Sequence, residues 1–111
     1  MTRGLRGAGL AALALGLGVA LAACQPPPPP VTPARTEWAR TRWPEITQAE
    51  LERGRDLFSA RCSSCHVTPV PSDRKPDEWP AQVGEMAERA RLTVDERTAI
   101  ERYLVTVAAT K

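Results

Sequence analysis

The apolar and polar positions in the C-terminal part of the chain fall into three amphipathic segments of helical period. The first opens at Thr47, whose hydroxyl and the Glu50 carboxylate have the spacing of a capping box. It continues through Leu51, Leu57 and Phe58 to Cys62. Gly54 falls on the face near Leu51 and Phe58, where a missing side chain lets another helix approach closely. The second segment runs from about Asp77 to Arg91, with Trp79, Val83, Met86, Ala87 and Ala90 on one face. Pro80 is compatible with it only in the first turn. The third begins with another capping box, Thr93 and Glu96, and sets Ile100, Tyr103, Leu104 and Val107 on one stripe. An all-α domain over residues 44–111, built of three to four short helices, is therefore expected.

Upstream the pattern changes twice. Arg3 and Arg6 precede an uncharged apolar run from Gly7 to Ala20, closed by Leu21-Ala22-Ala23-Cys24. This resembles a bacterial lipoprotein signal with its lipobox. The resemblance implies a signal peptide over residues 1–23, cleavage before Cys24, and lipidation of the Cys24 thiol and amine, which would make a stable membrane anchor. The run is shorter than the roughly 20 apolar residues of a membrane-spanning helix. Without a twin-arginine pair, the general secretory route is the default, and Gln25 after the cysteine is consistent with the outer membrane. Residues 24–43 then read as a linker, since Pro26 to Pro30 is an unbroken proline run extended by Pro33. At about 3.1 Å per residue, such a stiff spacer could hold a domain on the order of 50 Å from its lipid. Trp38 and Trp43 leave three placements open: packed on the domain, at the lipid interface, or at the start of the fold.

Charge adds little. Of the 15 basic residues, Arg3 and Arg6 belong to the leader, leaving 13 against 13 acidic ones. A neutral mature chain of this kind gives no footprint for nucleic acid.

Chemistry concentrates in Cys62-Ser63-Ser64-Cys65-His66. CxxCH is the spacing at which a c-type haem is covalently attached. On a helical turn both thiols and the imidazole can converge on one side, so that Cys62 and Cys65 form thioethers and His66 takes an axial position on iron. A thioredoxin-like pair would need a βαβ context, a zinc site would need four ligands, and a disulfide would leave the adjacent histidine unexplained. With Gly54 and Phe58 before the motif and Tyr103-Leu104 in the last segment, residues 44–111 resemble a small class I single-haem cytochrome c domain. The resemblance implies a compact fold around one haem c, with the first and last helices crossing at Gly54, Phe58 and Tyr103. It also implies a proline carbonyl, from Pro69 or Pro71, accepting from His66 Nδ1.

Elimination addresses the second axial ligand. His66 is the only histidine, and Met86 is the only methionine left once the leader is removed. Met86 is thus the candidate, its helical face also carrying Trp79 and Val83; Asp77, Lys75 and Lys111 are alternatives. Thioether ligation opposite histidine is the pattern of electron-transferring cytochromes. The expected function is single-electron transfer on the periplasmic side of a bacterial membrane, between a redox protein donor and acceptor and without catalysis. Other readings are a ligand-binding or sensory haem protein with an open sixth position, and a haem subunit of a larger dehydrogenase complex. So small a domain commonly needs a staple. The Cys62→Ser, Cys65→Ser chain is accordingly expected to be largely unfolded by circular dichroism, and native helix content without haem would contradict that.

Overall fold

The computed structural model describes residues 26–63 and 68–111. Four helices occur among them: α1 Pro33–Arg40, α2 Gln48–Cys62, α3 Trp79–Arg89 and α4 Val94–Ala109, with short 3-10 turns at Pro71–Asp73 and Pro76–Glu78. No strand is present among the described residues, and the domain is all-α. None of these helices is long and apolar enough to cross a membrane.

Both capping boxes form as their sequences require. The Glu50 amide donates to Thr47 Oγ1 at 3.2 Å and the Thr47 amide donates to the Glu50 carboxylate at 2.8 Å. Thr93 and Glu96 make the reciprocal pair at 3.2 and 2.9 Å. Each box satisfies two backbone donors that a helix start leaves without partners. Pro80 does lie in the first turn of α3, but the expected start at Asp77 is displaced, since Pro76–Glu78 forms a 3-10 turn and α3 begins at Trp79. α3 stops in a Schellman arrangement. Leu92 N–H donates to Ala87 O, Arg91 N–H donates to Glu88 O, and Arg91 takes φ 53° in the position usually held by glycine.

α4 is the centre of the molecule and packs most extensively on α2. At their crossing a Cβ placed on Gly54 would stand 2.2 Å from the Ala99 carbonyl oxygen and 2.8 Å from Tyr103 Cβ. The two backbones therefore meet with no space between them. One turn on, the Phe58 and Tyr103 rings lie 6.1 Å apart at 44°, a tilted aromatic pair. Arg61 at the end of α2 reaches both carboxylate oxygens of Glu96 at 3.2 Å, tying the C-terminus of one helix to the N-terminus of the other. The Thr93 amide, together with Arg61, holds the Glu96 carboxyl below the usual carboxylate range.

Two expectations are corrected here. The stripe on α4 is wider than its periodicity indicates, because Tyr103 through Ala108 are all buried. α1 and the two 3-10 turns also pack on α4, beside α2 and α3. α1 falls within the expected linker, residues 24–43. Thr32 caps it by accepting from the Arg35 amide at 3.2 Å, Pro33 takes its first position, and Thr36 and Ala39 are buried. Trp38 and Trp43 pack against the core clusters, with the Arg42 guanidinium over both rings at 5.8 and 5.6 Å and that of Arg102 over Trp43 at 5.5 Å. The tryptophans thus belong to the fold.

The proline run is docked as well. Tyr103 Oη donates to Pro29 O at 2.6 Å, Arg55 donates to Pro28 O at 2.9 Å, and Arg35 donates to Pro30 O at 2.6 Å. A proline segment offers carbonyl acceptors and no amide donors, while guanidinium offers only donors. The match explains why this segment adheres to the domain instead of standing away as a spacer. Arg35 also donates to Thr110 at 3.1 Å, joining α1 to the end of α4.

Two measurements check this packing. Gly54→Ala must push α2 off a backbone carbonyl, which has no rotamer to adopt, and should destabilise the chain by about 3 kcal/mol in chemical denaturation. Burial pushes the Tyr103 hydroxyl up to about 12 against the opposing charges of Arg55 and Arg35. The neutral phenol is therefore favoured in the folded chain. Its contribution is complete below the unfolded value near 10 and is lost as pH rises through 12, by about 2 to 3 kcal/mol. Tyr103 is the only tyrosine, so Tyr103→Phe should flatten that alkaline decline.

Candidate functional site

α2 ends at Cys62, and this terminus sets one wall of an apolar cavity of about 180 Å³. Phe58, one turn earlier on α2, continues the wall. α3 supplies Trp79, Val83 and Met86 from a single face, as their spacing demands, and α4 closes the floor with Ile100 and Leu104. Trp79 is fixed in place: its side chain is 2 % exposed, its Nε1 donates to Pro71 O at 3.0 Å, and the Arg74 guanidinium lies 5.9 Å from its ring centroid. Buried indole needs such a partner for its one polar atom.

A second cavity, of about 540 Å³, adjoins the first and shares Phe58 and Pro69 with it. Its walls are Ser59 of α2, the segment from Thr68 to Pro71, and Pro26 to Pro29 of the docked proline run. A cavity the size of the first accommodates one small aromatic ring. The two together offer an apolar space on the scale of a large planar ligand, and Cys62 and Met86 line the smaller of them.

Of the expected site residues, the fold brings Cys62 and Met86 to one cavity. Cys65, His66 and Cys24 lie outside the described residues. Lys75, Asp77 and Lys111 are exposed and do not line the cavity, so as alternative ligands they are not placed where Met86 is. The Pro71 carbonyl, one of two expected to serve His66, already accepts from Trp79. Pro69 lines both cavities.

Sequence reasoning missed Gln82 and Leu92 as lining residues and missed the whole proline wall. One signal was present: a tyrosine on a buried helical stripe must find a partner for its hydroxyl, and here that partner is Pro29 O. Comparison of the chain with protein-family models, with curated proteins and with solved structures returns no match.

Proposed function

We propose that the chain is a membrane-tethered c-type cytochrome that carries single electrons between redox partners in the bacterial cell envelope. The observation that carries this reading is the meeting of Cys62, the first residue of the CxxCH motif, and Met86, the only methionine of the mature chain, on one apolar cavity.

The donor set fits the group. Cys62 and Cys65 would attach such a prosthetic group covalently through thioethers, while the His66 imidazole and the Met86 sulfur would ligate its iron. Haem c, when bound, supplies reversible one-electron chemistry at iron. The chain's own residues supply the rest. Phe58, Val83, Ile100 and Leu104 exclude water, and low polarity around a redox centre raises the cost of added positive charge. Trp79, pinned by Pro71, holds a flat wall beside Met86. Arg74, whose guanidinium lies over the ring of that tryptophan, puts a cation in the cavity lining. The α2 and α4 crossing at Gly54, Phe58 and Tyr103 agrees with what the cytochrome c resemblance implies, and a fold of that kind is part of the proposal. The exported, lipidated N-terminus at Cys24 places the carrier on the periplasmic side, where partners dock transiently through small interfaces.

Met86 is the residue on which the choice between a carrier and an open-site haem protein turns. In protein matured with haem, the ferric spectrum should carry the weak far-red sulfur-to-iron band and the ferrous form should not bind carbon monoxide rapidly at neutral pH. Met86→Ala should lose the band, bind carbon monoxide and have a lower reduction potential. Rapid carbon monoxide binding by the wild type would favour the open-site reading. Free thiols at Cys62 and Cys65, with no added tetrapyrrole by intact mass, would defeat both.

A further inference from the structure

The docked proline run shortens the tether. A free spacer from Gln25 to Arg42 would let the domain stand tens of ångströms from its anchor. Here Pro28, Pro29 and Pro30 are each held by a side chain of the folded domain, from Arg55, Tyr103 and Arg35 respectively. Tyr103 is 0 % exposed and belongs to the core, so its part-buried bond ties Pro29 to the helical core. Pro26 then stands at the rim of the larger cavity. Cys24 is two residues before it, and two residues of fully extended chain reach at most about 7 Å.

We propose that this strap holds the domain directly against the lipid surface, with the rim formed by Pro26 and Val70 facing the bilayer. The proposal rests on the reading of Cys24 as the lipidated residue. The occupant of this face is the headgroup layer into which the acyl chains of Cys24 insert, and the covalent length of the chain dictates it. The composition of the rim agrees. Val70 is 48 % exposed, one of only two exposed large hydrophobic residues among the described residues, and it lines the same cavity as Pro26. Ser59, Thr68, Pro69 and Pro71 complete that side of the cavity, and none of its described lining residues carries a charge that would have to be stripped of water at the interface.

The consequence is a domain with a fixed orientation. Three hydrogen-bond anchors on neighbouring prolines leave little freedom for the strap to swing, and the cavity it walls lies on the membrane side.

Hydrogen exchange read by mass spectrometry tests this on the lipidated chain in vesicles of phosphatidylethanolamine and phosphatidylglycerol. The reference is the Cys24→Ser chain in solution. The amides of Val70 and Ser72 should exchange about tenfold more slowly in the vesicle-bound protein. A ten-residue Gly/Ser insertion between Gln25 and Pro26 leaves the folded domain untouched, and it should abolish most of that protection while the protein stays on the vesicle. Breaking the strap by Arg55→Met with Tyr103→Phe should do the same; if that variant unfolds, the insertion still decides. Equal exchange at Val70 and Ser72 in both forms, or protection spread evenly along the chain, would overturn the proposal. Intact mass separates the two possible failures. Lipid on Cys24 with no local protection defeats the orientation alone, whereas Cys24 without lipid defeats the anchor and the orientation together. The haem spectrum is independent of either result.

Discussion

The close approach of α2 and α4 at Gly54 is the constraint on which the rest depends. Because the Ala99 carbonyl occupies the place where a Cβ would stand, the two helices share a backbone contact rather than a layer of side chains. That contact aligns the remainder of both helices. It sets the Phe58 ring beside Tyr103, directs the Tyr103 hydroxyl outward to the proline run, and brings the end of α2 to the start of α4, where Arg61 meets Glu96. Cys62 is the last residue of α2, so its position at the cavity is a consequence of the same crossing. The helix crossing and the placement of the candidate chemistry are therefore one structural fact.

The parts of the fold legible in the sequence were those specified locally. Thr47 with Glu50 and Thr93 with Glu96 announce helix starts because each pair satisfies its own backbone donors within one turn. Gly54 beside Phe58 signals a crossing, and the common face of Trp79, Val83 and Met86 signals a cavity wall. α1 was hidden for the complementary reason. It has Thr32 as cap and Pro33 at its first position, but its buried residues are Thr36 and Ala39, which make no apolar stripe. A short helix of this kind is held by its tertiary contacts, and the adjacent prolines suggested solvated chain. The continuous burial of Tyr103 to Ala108 was obscured in turn, because α1 and the two 3-10 turns also pack on α4, and the periodicity of α4 alone does not announce them.

The candidate site was legible to a similar depth. Cys62, Cys65 and His66 are recognised by spacing alone, and Met86 by elimination, since the chain offers no other sulfur or imidazole at helical register with the wall residues. The site's outer boundary was not legible. It depends on the pairing of guanidinium and phenol donors with carbonyls more than twenty residues away, as in the 27-residue separation of Arg55 and Pro28, and no periodicity encodes such a pairing.

Proline chemistry and membrane placement are then linked through one property. A run of prolines cannot donate, so in water its carbonyls are served only by solvent. Against a surface that presents guanidinium groups and a buried phenol, the same carbonyls gain partners without giving up any donor of their own, and the stiff segment loses little conformational freedom on docking. A flexible glycine and serine tether would lose far more freedom on adopting the same path. The composition that suggests a long-reach spacer is thus equally suited to a short strap, and what decides between them is the set of donors on the folded domain. Arg35, Arg55 and Tyr103 are those donors, and their placement on α1, α2 and α4 makes the position of the N-terminal chain a property of the whole helical core.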